Sequence, residues 1–125
     1  MTLFRKTLGE RGERIAERFL KKQGCRILAR NFTAAGAEID LVAQEKSGGR
    51  IIFAEVKTRS SEAIARGEHA VGRQKQRHIV RAAQAFVKAR RVPDDAPMRF
   101  DVLAVTFDAD GTPVVRHTPN AFGAS

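Results

Sequence analysis

The 125-residue sequence has one cysteine, no tryptophan, no tyrosine and only four prolines. A lone cysteine closes no internal disulfide, and with only three histidines beside it the ligands for a zinc site of ordinary spacing are missing. The lack of tyrosine removes a tyrosine nucleophile. Together with the lack of tryptophan it argues against single-strand binding on an extended aromatic platform, leaving phenylalanine as the ring able to stack on a base. Neither G-x-x-x-x-G-K-[ST] nor G-x-G-x-x-G occurs, so nucleotide hydrolysis and dinucleotide binding lack their usual phosphate cradle. No apolar run approaches the roughly 18 residues of a membrane span, and the opening MTLFRKTLGERGE has no signal-peptide hydrophobic region. A cytoplasmic location with no membrane partner is therefore expected. Acidic residues are scarce too: 14 Asp plus Glu stand against 23 Lys plus Arg, for a net charge of +9. Such an excess makes a polyanion the expected partner. The length suits one domain over 1–125, large enough to bury a core without staples.

What is present centres on Ala37 to Arg59. Ile39–Ala43 and Ile51–Val56 are rich in β-branched and apolar residues, and Lys46-Ser47-Gly48-Gly49 separates them, which predicts a β-hairpin. Alternation puts Glu38, Asp40 and Val42 on one side of the first strand, and Phe53, Glu55, Lys57 and Arg59 on one side of the second. Charges in the middle of apolar strands cost free energy unless paired or bound to a cation. Mg²⁺ takes oxygen ligands, often only one or two carboxylates, and completes its shell with water and phosphate. Asp40 and Glu55 can supply those carboxylates, and Lys57 can hold or help deprotonate an attacking water and balance phosphate charge.

A helix is predicted from about Arg5 to Gln23, with Ile15, Ala16, Phe19 and Leu20 as its apolar stripe, Gly24 as its stop, and Arg5, Lys6, Arg11, Arg14, Arg18, Lys21 and Lys22 on the other faces. Glu13 lies at the stripe's edge; it points toward Asp40 and Glu55 or is an exposed helix carboxylate beside Arg14. Cys25–Phe32 reads as an edge strand, with Cys25 a small packing residue, and Thr33–Gly36 as a turn. Residues 60–69 read as a polar loop near the site. A second helix spans about Gly72 to Arg91, with Ile79, Ala82, Ala83, Phe86 and Val87 facing inward. Its cations Arg73, Lys75, Arg77, Arg81, Lys88, Arg90 and Arg91 have no acidic residue between them. Like charges three or four residues apart repel, so an all-basic helix calls for phosphate. Met98–Phe107 is apolar enough to be buried on both faces, Asp101 within it is read as a structural partner of Arg99 or Arg59, and a turn at Asp108–Gly111 leads to a last strand over Thr112–Thr118. Phe122 is expected to pin the tail. The predicted architecture is α/β, a mixed sheet flanked by helices in the order α-β-β-β-α-β-β.

Asp40, fourteen further residues, then Glu55-Val56-Lys57 resembles the PD-(D/E)xK nuclease superfamily, whose members cleave nucleic-acid phosphodiesters with divalent metal. With Gly12-Glu13…Ala16, Ala29-Arg30-Asn31, Glu38–Leu41, Glu55–Arg59, Val71…Lys75, Arg99–Val102 and Ala121-Phe122, the chain resembles over nearly its whole length the YraN-like family of small bacterial proteins. That resemblance implies a restriction-endonuclease-like core similar to archaeal Holliday-junction resolvases, a structured or branched DNA substrate, and Mg²⁺ or Mn²⁺ as cofactor. It further implies Glu13 as an additional metal ligand and Lys75 as a phosphate contact. Where the family commonly has Gly before the Glu of the EID segment, Ala37 stands here with Gly36 one residue earlier, so either the turn is shifted or alanine is accommodated. Two readings follow. One is a metal-dependent endodeoxyribonuclease with Asp40, Glu55, Lys57 and Glu13 at its centre and Arg59, Arg73, Lys75, Arg77 and Arg81 on nucleic acid. The other is a non-catalytic nucleic-acid-binding module of the same fold, acting with a repair or recombination partner. A homodimer is suggested by analogy alone.

Overall fold

The computed structural model describes residues 3–123. Its elements are α1 (Leu3–Lys22), β1 (Cys25–Ala34), β2 (Ala37–Glu45), β3 (Ile51–Thr58), α2 (Ser61–Ala65), α3 (Arg73–Ala89), β4 (Met98–Phe107) and β5 (Pro113–Phe122). The strands form one sheet in chain order, β1-β2-β3-β4-β5. Only the β3–β4 pair is parallel; the other neighbours are antiparallel hairpins. A parallel pair requires a long crossover, and α2 with α3 supplies it. This is the mixed, helix-flanked sheet expected, with α2 added to the element order.

Alternation along the central strands builds two apolar layers. Leu41, Ala43, Ile52, Ala54, Leu103 and Val105 face α1, where they bury Ile15, Ala16 and Leu20. Val42, Ile51, Phe53 and Phe100 gather with Ile79, Ala82, Ala83 and Phe86 of α3 on the other side. A sheet covered on both faces reads as continuous hydrophobic strands, hence the uninterrupted apolar runs of β3 and β4. Phe53 stacks on Phe100 at 5.4 Å and meets Phe86 edge-on at 5.9 Å. Aromatic pairs of this kind add about 0.5–1.5 kcal/mol beyond area burial. Cys25 is buried in the α1-side core, a packing role as expected. The cations expected at Arg5 and Lys6 lie outside the described side chains.

Several boundaries differ from the sequence reading. The turn after β1 is only Ala35-Gly36, with φ of 53° and 75°. Positive φ at both central residues is the two-residue turn whose twist suits a hairpin. Accordingly β1 runs on to Ala34, and Ala37 is accommodated as the first residue of β2. The segment read as a polar loop contains α2, started by Ser60, whose Oγ accepts from the Ala63 amide at 3.1 Å. The last strand extends past Thr118 to Phe122, through Pro119 and a left-handed Asn120 at φ 53°. That proline is tolerated because β5 is an edge strand. Phe122 does pin the tail, stacking on Phe100 at 5.1 Å; the tail's final residues, Ala124 and Ser125, lie outside the described residues.

Asp101 is fully buried and structural. Arg99 holds it with two hydrogen bonds of 2.8 and 2.9 Å, His117 Nε2 lies 2.7 Å away, and the Asn120 amide donates at 3.1 Å. Arg59, the other partner considered, instead hydrogen-bonds the Thr58 carbonyl. Burial alone would raise the Asp101 pKa, but these donors outweigh it and hold the carboxyl below its usual range. Among the described residues no helix is long and apolar enough to cross a membrane.

Candidate functional site

The β2–β3 register pairs Leu41 with Ala54 and Val42 with Phe53. Carried one residue further, it sets Asp40 against Glu55, where the two strands begin to part. Asp40 Oδ2 accepts from the Val56 amide at 2.7 Å, so a side chain closes the ladder in place of a backbone carbonyl. The two carboxyls are close enough for the charge of Glu55 to act on Asp40. Glu55 is buried, with its side chain 7 % exposed. Its Oε1 receives Lys75 Nζ at 3.1 Å and has Lys57 Nζ at 4.0 Å, whereas its Oε2 is buried without a hydrogen-bond partner. A cleft of about 680 Å³ opens over this pair, walled by the β1–β2 turn on one side and by Arg73, Lys75 and His78 of α3 on the other.

The electrostatics follow from crowding two acids and two lysines together. Burial, and then the charge of Glu55, push Asp40 up to about 7 against the pull of the Val56 amide, and Glu13 adds to the rise. Lys57 is lowered, first by burial and then by the neighbouring Lys75 charge, with Glu55 opposing. Burial also acts to lower Lys75, but its contact with Glu55 prevails and the net shift is upward. The two lysines are thus pushed apart: Lys57 becomes the readier proton acceptor and Lys75 the fixed cation.

Glu13 of α1 is half-buried and is tied to the site through Asn31. The Asn31 amide donates to Glu13 Oε1 at 3.2 Å and to Glu38 Oε1 at 2.8 Å. Asn31 sits at φ 48°, a left-handed conformation that asparagine tolerates better than most residues, and so turns its amide toward both acids. Sequence reasoning gave Asn31 no role, although an asparagine interrupting an alternating strand is a signal of irregular backbone.

The structure therefore brings Asp40, Glu55, Arg73 and Lys75 to one cleft. It sets Lys57 against Glu55, and Glu13 two hydrogen bonds from the cleft residue Glu38 by way of Asn31; neither Lys57 nor Glu13 lines the cleft. Arg77 and Arg81 lie further along α3 in an adjoining depression. Arg59 is exposed just beyond β3 and does not line the cleft. Among the described residues no three His, Cys, Asp or Glu side chains gather as a ligand cluster. A paired-carboxylate Mg²⁺ site does not need a third protein ligand.

Fold and site together define a class: a small α/β domain whose mixed sheet presents two opposed carboxylates, flanked by lysines, beneath a basic helix. The chain belongs to the uncharacterised protein family UPF0102, whose family model matches residues 12–105. It is 43 % identical over 122 residues to a UPF0102 protein of Geobacter metallireducens, covering 98 % of this chain and 97 % of that one. It is also 43 % identical over 115 residues to one from Trichlorobacter lovleyi, with 92 % and 89 % covered. A Symbiobacterium thermophilum relative is 42 % identical over 117 residues, with 94 % and 97 % covered. Among solved structures, Pyrococcus furiosus SfsA in complex with Ca²⁺ is similar with a TM-score of 0.34 and 13 % identity over 89 % of this chain and 62 % of its own, too loose a likeness to inform the site.

Proposed function

We propose that this protein is a nucleic-acid-binding, divalent-metal-dependent endonuclease acting on structured or branched DNA. The observation that carries the reading is the Asp40–Glu55 pair itself, with Glu55 Oε2 buried and unsatisfied at the floor of a basic cleft. A buried acceptor with no donor costs about 1–3 kcal/mol, a cost that a bound cation would remove. Asp40 and Glu55 suit Mg²⁺ or Mn²⁺: hard oxygen donors, few in number, with cleft space left for water and a phosphate. Such an ion supplies Lewis-acid activation of the phosphodiester and a water of lowered pKa.

The remaining work falls to the chain's own residues. Lys75 and Arg73, on the first turn of α3, bind the phosphate that enters the cleft, and Arg77 and Arg81 hold the backbone beyond it. Lys57 orients the attacking water and takes up its proton, a role suited to its lowered pKa. Glu13 acts as a further carboxylate near the pair, held by Asn31.

One observation favours the second reading, a binding module without cleavage. Lys75 Nζ already sits 3.1 Å from Glu55 Oε1, so an ammonium occupies part of the space a metal would use. An assay separates the two. Labelled linear, flapped and four-way-junction DNA is incubated with Mg²⁺ or Mn²⁺, beside Asp40→Ala, Glu55→Ala and a chelator control. Cleavage that disappears in every control is expected. Metal-independent binding with no product on any substrate would sink the nuclease reading and leave the module.

A further inference from the structure

The depressions on the α3 side of the molecule are continuous. The cleft over Asp40 and Glu55 shares Arg73 with a depression of about 940 Å³ lined by Arg77 and Arg81. That depression in turn shares Val80, Gln84 and Phe122 with a groove of about 710 Å³ at the far end of α3. The character changes along the way. Arg73, Arg77 and Arg81 are exposed and four residues apart, about 6 Å per step along a helix. The terminal groove instead has an apolar floor of Val80, Val87, Phe100 and Phe122, with Lys88 and Arg91 on its rim. Asp94 is the acidic residue there, and the guanidinium of Arg99 is already committed to Asp101.

We infer that this groove receives an unpaired base of a single-stranded arm whose backbone leaves the Asp40–Glu55 cleft and follows the arginine row. The inference rests on the nucleic-acid reading of that cleft. A row of cations without partnering acids selects a phosphate backbone. An apolar pocket floored by stacked phenylalanines selects a flat ring, and two cations on its rim suit the phosphate attached to that ring. The half-buried Phe122 is already stacked on Phe100 at 5.1 Å, so a base placed against it extends an existing stack. From Lys75 to Lys88 the helix rises about 20 Å. At the roughly 3.4 Å per phosphate of one strand, about six nucleotides bridge cleft and groove, and fewer if the strand is stretched. Fully paired DNA keeps its bases stacked inside the duplex and can offer none to the groove, so the occupant is an overhang, flap or unpaired junction arm.

The test uses the full chain without divalent metal and measures affinity for one labelled duplex, blunt or carrying a single-stranded arm of about ten nucleotides at either end. A 2-aminopurine placed along the arm reports stacking. Phe122→Leu keeps apolar volume while removing the ring, and Lys88→Glu with Arg91→Glu reverses the rim charge without touching the core. Wild type should prefer an armed duplex by about 5- to 150-fold, the range of one stacked base, and quench the probe about six nucleotides or fewer from the junction. Both variants should lose that preference; Phe122→Leu should keep its affinity for blunt duplex, whereas the charge-reversed rim should weaken the armed duplex more than the blunt one. If blunt and armed duplexes bind equally, or the variants weaken both alike, the groove inference is overturned while the cleft reading stands. If neither DNA binds, both readings fail together. A concentration-dependent dimer that Phe122→Leu dissociates, with arm binding unchanged, would assign the groove to a second copy of the chain and overturn the inference.

Discussion

Gly12 of α1 is buried against Thr58 at the end of β3, and a Cβ built on it would overlap Thr58 Oγ1 while lying 3.3 Å from Thr58 Cβ. Gly12→Ala therefore sets two effects against each other. Alanine gains about 1 kcal/mol of helix propensity over glycine. Forcing a methyl into a packed contact costs about 1–3 kcal/mol, and Thr58 is β-branched and stiff at χ1, so it yields poorly. The clash should win, leaving Gly12→Ala about 1–2 kcal/mol less stable and moving its urea midpoint down by about 1 M. In a Thr58→Ala background the overlap with Oγ1 disappears, and the same substitution should become neutral or stabilising, a coupling of about 2 kcal/mol in a double-mutant cycle. Equilibrium urea unfolding of the four proteins decides it. A Gly12→Ala protein more stable than wild type, or strictly additive effects, would refute the reasoning. The contact matters beyond stability, because Gly12 precedes Glu13 and Thr58 follows Lys57: lifting α1 off β3 separates two of the residues proposed to act together.

Without divalent metal, Asp40 keeps its proton up to about pH 7 in the folded chain against 3.8 in its absence of neighbours. A carboxyl whose folded pKa is raised lends stability at low pH that is lost as pH rises from about 4 to about 7. Asp40→Asn should flatten that slope and gain about 1–2 kcal/mol at pH 8 while abolishing Mn²⁺ uptake, measurable by unfolding and titration calorimetry; an unchanged slope would count against the strained pair. Asp101 is the opposite case: its depressed pKa gives stability present above about pH 4 and lost as pH falls below it. Asp101→Asn should cost about 3 kcal/mol near neutrality by stranding Arg99, and an unshifted melting curve would refute this. Arg77→Ala or Arg81→Ala should each reduce the slope of log affinity against log salt by about one, with little sequence dependence; no change would remove that residue from the phosphate path.

The carboxylate pair was legible in the sequence because a hairpin with a Gly-Gly turn and period-two alternation leaves few registers, and only those that bury Val42 and Phe53 together bring Asp40 opposite Glu55. The basic face of α3 was legible for the same local reason. The partners of Asp101 were less so: Arg99, two residues away, was readable, whereas His117 and Asn120 arrive from β5 through tertiary pairing. Asn31 is among the residues that carry the family resemblance, but its role was not readable, because it lies in a positive φ and in two acids brought together from α1 and β2. The helix α2 was missed although Ser60 before an apolar pair is a start signal, since five residues are too few to show periodicity.

The sheet separates two basic helices, with exposed Arg14, Arg18 and Lys22 on α1 and exposed Arg73, Arg77 and Arg81 on α3. With a sheet and two helices each about 10 Å across between them, these faces stand further apart than the Debye length of about 10 Å at 0.1 M salt. Under the nucleic-acid reading each face is expected to meet polyanions without sensing the other. A body charged in this way would be ditopic, expected to cross-link as well as bind by gathering two duplex segments on opposite sides of a single copy. At low ionic strength, mixtures with long DNA should turn cloudy near charge balance and clear again with salt.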